Sequence, residues 1–173
     1  SSGGNWSEGL TTYLADHWQQ KMKNNDAEYR MNQLIGYADF VKSDSDFPLS
    51  DFQTRNSEAT QAIGYGKSSM FFHMLELKVG TTKFQSALQN FYLKNLFRFA
   101  SYDDIRISFE ETTGLDLLKF FQQWIERTGA PEIHLGSVTP FLWADSNWAT
   151  SWELNQDPTN IYDLDIPVRW TLE

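Results

Sequence analysis

The sequence predicts a mainly α-helical part, bundle-like in character, followed by a short antiparallel β segment. Apolar residues recur at three- and four-residue steps through most of the first 130 residues, which is the helical period. After Pro131 the period falls to two, and proline and Asp/Asn clusters become frequent. Of the 173 residues, 40% are hydrophobic and 16% are aromatic, so the chain has ample material for a packed core.

The helical period marks six segments in the first part of the chain. They cover residues 6–22, 27–41, 65–79, 81–96, 101–113 and 117–127. Asn5, with Glu8 three positions later, fits a capping-box start for the first helix, and Ser101 is a typical start for the fifth. Gly80 and Gly114 are typical ends for the third and fifth helices.

Between the second and third helices, residues 42–61 are polar, lack a period and contain Pro48, which predicts a long loop. Strands are expected at 132–142, 148–155 and 164–172, with a turn at 145–147. The third strand has an apolar residue at every second position, namely Leu164, Ile166, Val168, Trp170 and Leu172. We therefore expect one helical domain at 1–130 and the first strands of a β-domain at 131–173.

Composition excludes several classes of function. Acidic residues outnumber basic ones 23 to 14, giving a net charge of −9, which argues against a nucleic-acid partner. Cysteine is absent, which removes disulfides, thiol nucleophiles and thiolate metal sites, and it leaves the compartment of the protein unknown. No apolar run approaches the roughly 20 residues that span a bilayer. The chain begins without Met and ends on a predicted strand, so we expect it to be a piece of a longer protein.

Taken singly, most candidate functional residues have an ordinary structural interpretation. His17, His73 and His134 lie 56 and 61 positions apart, so no local histidine pair can hold a metal, and we interpret each as a packed or surface residue. By composition alone, Glu8 is a capping carboxylate and Tyr65 a turn tyrosine. The aromatic residues of the second part suit either a sugar-stacking face or a mixture of core and interface positions; they are Trp143, Trp148, Trp152, Tyr162 and Trp170.

Two motifs resemble those of the aminopeptidase N-like zinc metallopeptidases, the gluzincins. Residues 4–18, GNWSEGLTTYLADHW, resemble the W-x-E-G-[FL]-[AT]-x-Y-L helix of that family. Residues 64–80, GYGKSSMFFHMLELKVG, are similar to its Y-x-K-G segment and the following helix. Residues 84–133 resemble its helical region, including the closing F-x-x-W-x-x-x-x-G-x-P phrase, here Phe121, Trp124, Gly129 and Pro131.

The resemblance implies roles for two side chains. Glu8 resembles the glutamate that binds the catalytic zinc, and Tyr65 resembles the tyrosine that donates a hydrogen bond to the tetrahedral oxyanion. Thr11, Thr12 and Ala15 share the helix face of Glu8 and would leave room for a second helix carrying further ligands. Tyr65 is followed by Gly-Lys-Ser where the family more often has x-Lys-Gly, which questions where that helix begins.

The chain lacks the family's H-E-x-x-H motif, which supplies two histidine ligands and the general base. The resemblance places that motif just before Ser1; the alternative is a parent protein that lacks it altogether. We therefore expect a zinc-dependent peptidase acting on peptides in the parent, and a 173-residue chain that is inactive and holds no zinc. The fragment's exposed aromatic face predicts self-association.

A hypothesis from a different class is a non-catalytic helical scaffold or binding module. Its β part would bind protein or carbohydrate through the aromatic residues named above. The residues encoded before Ser1 discriminate the two hypotheses, because only the peptidase requires H-E-x-x-H there.

Overall fold

The computed structural model describes residues 3–143, 148–166 and 168. The chain divides into two compact units, Ser1–Thr128 and Gly129–Glu173, which we call the helical unit and the hairpin unit. Within the described residues the fold is mainly α followed by a short antiparallel β segment, which confirms the predicted fold class. None of the described helices has the length and apolar composition needed to cross a bilayer.

The described part of the helical unit contains six helices. Helix α1 covers residues 6–22 and consists of Trp6–Thr11, a π-helical segment Thr12–His17, and Trp18–Met22. Helix α2 is Asp26–Phe40. Helix α3 covers residues 58–79 and consists of Glu58–Gln61, a π-helical segment Ala62–Lys67, and Ser68–Val79. Helix α4 is Thr81–Asn95, and helix α5 is Tyr102–Thr113. Helix α6 covers residues 118–126 and consists of Leu118–Phe121 and a π-helical segment Gln122–Glu126.

The start of α3 corrects one sequence prediction. Residues 58–61 were expected in the long loop, but α3 begins at Glu58 and not at Tyr65. Ser57 and Thr60 form a capping box, in which the Ser57 side chain accepts from the Thr60 N–H and the Thr60 side chain bonds the Ser57 N–H. The loop therefore spans residues 41–57 and contains one 3₁₀ turn, Leu49–Asp51.

Other helix ends agree with the sequence. Ser101 caps α5 in a capping box with Asp104, and Gly114 ends it with φ of +74°, the left-handed conformation that glycine adopts without strain. The Asn5 side chain caps α1, accepting from the Ser7 N–H at 3.2 Å. The predicted capping box with Glu8 is not formed, which corrects that part of the prediction; Glu8 instead lies near Tyr65, as described below.

The core of the helical unit is aromatic and centres on α3. Phe71, Phe72 and Leu75 of this helix are fully buried. Their neighbours come from α4, α5, α6 and the loop; the buried apolar residues of those elements include Phe52, Phe84, Phe91, Tyr102, Ile105, Phe109, Phe121 and Trp124. Edge-to-face ring pairs join these elements, as between Phe84 and Phe109 at a centroid distance of 5.4 Å.

The hairpin unit contains strands β1, Ile133–Leu142, and β2, Trp148–Gln156, paired antiparallel. The register runs from Ile133 opposite Gln156 to Leu142 opposite Trp148, with an irregularity between Leu135 and Val138. Of the predicted third strand, residues 164–166 and 168 are not in a strand, which corrects the prediction there. The rest of that segment and the turn at 145–147 lie outside the described residues.

The aromatic residues of the hairpin unit do not share one environment. Trp143, Trp148 and Trp152 are exposed, whereas Tyr162 is buried. Trp170 lies outside the described residues. A stacking face made of all five predicted residues therefore finds no support in the described part.

Candidate active site

The structure brings Glu8 of α1 and Tyr65 of α3 together, although they are far apart in the sequence. The Glu8 carboxylate lies close enough to the Tyr65 phenol to raise its pKa. Both side chains are partly exposed, so the pair opens to solvent. Desolvation and the neighbouring Glu8 carboxylate raise the pKa of the Tyr65 phenol, while the Arg55 guanidinium acts in the opposite direction. The phenol is therefore a proton donor at neutral pH.

A close helix–helix contact lies next to this pair. A Cβ atom on Gly9 would lie 1.8 Å from the Ser68 Oγ and 2.2 Å from the Ser68 Cβ. Only glycine therefore lets α1 approach α3 at this point. The Ser68 hydroxyl also hydrogen-bonds the Tyr102 hydroxyl of α5 at 2.8 Å, so the contact is anchored to the core.

The loop before α3 supports Tyr65 from the other side. Phe52, 1% exposed, places its ring edge-to-face with the Tyr65 ring at a centroid distance of 6.0 Å. A Cβ on Gly64 would lie 2.1 Å from the Phe52 ring, so this glycine lets the ring reach the helix. The Asn5 N–H donates to the Phe52 carbonyl at 2.6 Å, and the Asn5 side-chain amide donates to the Gln53 carbonyl at 3.1 Å. One loop thus contacts the start of α1 and the ring of Tyr65.

Lys67, two residues after Tyr65, connects α3 to its other neighbours. Its ammonium donates to the Arg127 carbonyl at 3.0 Å, beyond the last turn of α6. It also lies 5.6 Å from the centroid of the Tyr37 ring of α2. Burial lowers the pKa of Lys67, the Asp46 carboxylate acts in the opposite direction, and the Arg127 guanidinium adds to the lowering. The carbonyl and ring contacts stabilise the ammonium form.

Both helices that carry the pair are interrupted by a π-helical segment. Tyr65 lies inside the segment Ala62–Lys67, so it is in the middle of a continuous helix and not in a turn. In α1 the segment Thr12–His17 begins one turn after Glu8. Single π turns occur often at functional sites, because the wider turn changes the direction of side chains. No compositional signal in either segment predicted it.

The described residues do not complete a zinc site. A catalytic zinc takes three protein ligands, and no group of three His, Cys, Asp or Glu side chains suited to a metal occurs among residues 3–143, 148–166 and 168. Glu8 is thus one carboxylate without further ligands from this part of the chain. Of the small residues on its helix face, Thr11 and Ala15 are exposed and Thr12 is buried.

Comparison with known proteins gives a family match over most of the helical unit. The model of the peptidase family M1 domain matches residues 5–124, a range that includes both Glu8 and Tyr65.

Three curated relatives show partial similarity. The aminopeptidase N of Lactococcus lactis subsp. lactis is 24% identical over 115 residues, which are 66% of this chain and 13% of the relative. The glutamyl aminopeptidase of Sus scrofa is 29% identical over 116 residues, 63% of this chain and 12% of the relative. A protein named "Probable aminopeptidase 1" from Sulfurisphaera tokodaii is 34% identical over 71 residues, 41% of this chain and 9% of the relative. The chain therefore spans only a small part of the length of these relatives.

Proposed function

The chain belongs to peptidase family M1, and on this premise we propose that it forms part of a zinc-dependent aminopeptidase that hydrolyses peptide bonds. The observation that carries the proposal is the contact between Glu8 and Tyr65 inside the family-matched region. A carboxylate and a protonated phenol at one solvent-open position are the two groups that the resemblance requires of this part of the protein. The relatives named as aminopeptidases support the same reaction class.

In this proposal Glu8 supplies one protein ligand to zinc, and the other ligands come from residues outside the 173. Bound zinc would lower the pKa of a water molecule toward neutrality and so supply the nucleophile. The loop contacts of Asn5 fix the first turn of α1, which carries Glu8. The Gly9–Ser68 contact sets the separation of Glu8 from α3.

Tyr65 stabilises the oxyanion of the tetrahedral intermediate by donating a hydrogen bond from its phenol. Burial and the Glu8 carboxylate hold the pKa of this phenol above its ordinary value, so it is protonated and able to donate at neutral pH. The Phe52 ring and the π-helical segment hold the phenol in place, so little reorganisation is needed when charge develops on the substrate oxygen. In the structure described here the Glu8 carboxylate is the charged neighbour of this phenol.

The role of Tyr65 is tested by Tyr65→Phe in the longer protein that contains this chain. We expect kcat to fall by roughly a hundred- to a thousandfold, with KM little changed, because a donor used in the transition state is lost. Tyr92→Phe is the matched control: Tyr92 is 62% exposed on α4, and its variant should keep full activity. A Tyr65→Phe enzyme with unchanged kcat and unchanged zinc content contradicts the assignment.

The role of Glu8 is tested by zinc content. In the longer protein, Glu8→Gln should lower bound zinc, since an amide is a weaker zinc ligand than a carboxylate but has nearly the same size. Glu58→Gln, at an exposed carboxylate of α3, serves as control. The purified 173-residue chain should hold no stoichiometric zinc, and one tightly bound zinc per chain by elemental analysis would refute this.

The shortest test is to determine the residues encoded immediately before Ser1. The peptidase proposal requires H-E-x-x-H there, because two histidine ligands and the general base are missing from the chain. If the motif is absent, the non-catalytic scaffold becomes the better hypothesis.

A further inference from the structure

A cluster of polar side chains lies where α1, α2 and α3 meet, within about three helical turns of the Glu8–Tyr65 pair. We call it the histidine cluster; its members are Tyr13, His17, Arg30, His73 and Glu76. The rings of Tyr13 and His17 stack at a centroid distance of 4.9 Å, and those of His17 and His73 lie 5.5 Å apart. His17 is only 4% exposed, and His73 is partly buried. None of these residues takes part in the proposed reaction.

The direct contacts of the cluster join α1 to α3. The Tyr13 hydroxyl of α1 donates to the Glu76 carboxylate of α3, and the Tyr13 ring lies 6.1 Å from the His73 ring. The Thr81 hydroxyl donates to the other oxygen of Glu76 at 2.8 Å, which fixes the carboxylate. The cluster therefore connects the same two helices that bring Glu8 and Tyr65 together.

We propose that His17 and His73 are positioning residues, which as neutral side chains hold α1 against α3 and keep Glu8 beside Tyr65, and whose protonation releases α1. The arrangement of Glu8 beside Tyr65 would therefore be lost at acidic pH. The chemical role of the Glu8–Tyr65 site in this inference rests on the proposed function. The coupling between the histidines and the contact of α1 with α3 does not.

The contact between Arg30 and His17 shows which form the structure requires. Arg30 Nη1 lies 2.8 Å from His17 Nε2. A guanidinium can only donate, so Nε2 must accept and the imidazole is neutral, with its proton on Nδ1. A proton on Nε2 would place two donors and two positive charges against each other. The same Arg30 nitrogen also donates to Asp26 Oδ2 at 2.6 Å, which keeps the guanidinium in place.

The other charges near the two histidines do not remove this conflict. Lys21 of α1 adds a second cation near His17. Asp26 and Glu76 are the anions that face both rings, but Asp26 is paired with Arg30 and Glu76 accepts from two hydroxyls. The aromatic neighbours stay neutral at physiological pH, because burial raises the pKa of Tyr13 and of Tyr29, whose ring lies 6.2 Å from His17.

Burial, followed by the Arg30 charge, lowers the pKa of both histidines, that of His73 to about 4. A histidine released to solvent returns to its ordinary value near 6.5. The released state therefore binds more protons below that value, and the contact is stable at higher pH and lost as the pH falls toward the folded pKa. For His73 alone, release becomes roughly twentyfold more favourable between pH 7 and pH 5.

The experiment is native-state hydrogen exchange on the 173-residue chain at pH 7 and pH 5, corrected for the intrinsic exchange rate. We expect amide protection in α1 to fall by roughly twentyfold or more, while protection in α5 falls much less. The α5 helix is the internal reference, because no member of the cluster lies on it. Equal losses in α1 and α5 would mean that the histidines affect only global stability, which overturns the positioning role.

A paired variant identifies the responsible groups. His17→Gln with His73→Gln keeps a side-chain acceptor for Arg30 but cannot be protonated in this pH range, so the difference between α1 and α5 should disappear. His134→Gln is the control, since His134 is exposed on β1 and its variant should keep the difference. A difference that persists in the paired variant assigns the acid response to other groups and refutes the proposal.

Ring NMR titrations of the wild-type chain provide a test that does not depend on the folding of any variant. His17 and His73 should both titrate below the ordinary histidine value near 6.5. If either of these two rings titrates at or above that value, the proposal fails. Hydrogen exchange and NMR titration require neither zinc nor catalysis. An inactive longer protein would therefore refute the peptidase proposal, while this inference would still be decided by these two measurements.

Discussion

Helix α2 packs against the segment of α3 that contains Tyr65, but the two helices are stabilised in different ways. None of the fifteen residues of α2 is buried, and its apolar residues Met31, Leu34 and Ile35 are 56%, 49% and 48% exposed. In α3, by contrast, the apolar residues Phe71 and Phe72 are fully buried. The helical period predicts that a segment is helical, but the neighbours of the segment decide whether its apolar residues stabilise the fold.

The glycines of these two helices show the same difference. A Cβ on Gly36 of α2 would meet nothing within 4 Å, whereas a Cβ on Gly64 of α3 would meet the Phe52 ring at 2.1 Å. Gly36 therefore weakens α2 without allowing any contact, and Gly64 permits the packing that supports Tyr65. The same residue type in a helix interior is thus a cost in one helix and a requirement in the other.

The largest effect is expected from Phe52 and Gly64. Phe52→Ala removes a fully packed ring and should lower the free energy of unfolding by about 3–5 kcal/mol. Gly64→Ala should lower it by about 1–3 kcal/mol, because the new methyl group overlaps the ring. Urea denaturation followed by circular dichroism measures both changes.

The double variant shows whether the two effects have the same origin. With the ring removed, the methyl group at position 64 fits into the vacated space, so the double variant should be less destabilised than the sum of the single variants. Additive effects would indicate that Gly64 and Phe52 are not in close contact.

The next effect compares Gly9→Ala in α1 with Gly36→Ala in α2. The first should destabilise the chain by about 1–3 kcal/mol through overlap with Ser68. The second should stabilise it by roughly 0.5–1 kcal/mol, because alanine is the better helix former and meets no neighbour. Opposite signs at two helix glycines would confirm that tertiary contact, and not helix propensity, fixes Gly9.

A compensating change tests the partner of Gly9. Ser68→Gly removes both the Oγ and the Cβ that the new methyl group would strike, which leaves the Ser68 carbonyl carbon, at 3.1 Å, as its nearest neighbour on α3. Combined with Gly9→Ala, it should recover part of the lost stability. No recovery would place the source of the destabilisation elsewhere.

The sequence predicted the helices well because their periods are long and regular, as in α4 and α5, and because Ser101 and Gly114 are strong end signals. The start of α3 was missed since residues 57–61 contain almost no apolar residue, and only the Ser57–Thr60 hydrogen bonds reveal the helix. The roles assigned to Glu8 and Tyr65 came from the family resemblance, and their contact could not be derived from spacing.

The tertiary relations around the site left no sequence signal of their own. Gly9 and Gly64 are distinguished only by Ser68 and Phe52, residues distant in the chain. His17 and His73 were interpreted separately as packed or surface residues, which is right for the burial of His17 but misses the ring contact between them. Contacts of this kind become visible only when the helices are packed, because most of the stability of a helix in a protein comes from its contacts with other elements.

The smallest effect on stability is expected on the exposed face of α2. Met31→Glu with Leu34→Glu should change the free energy of unfolding by less than about 0.5 kcal/mol, since neither side chain is buried. The same variant should reduce the self-association that we predict for this chain, because it places two charges in an exposed apolar face. Light scattering over a range of protein concentrations measures the average mass.

A variant of α4 provides the control for α2. Tyr92→Glu with Leu93→Glu adds the same charges at positions that are 62% and 65% exposed, so a general effect of net charge would appear in both variants. If only the α2 variant lowers the average mass, the face of α2 is the surface through which the copies associate. A wild-type chain that stays monomeric at high concentration contradicts the prediction. It would show that the exposed apolar residues of this chain are not sufficient to drive association.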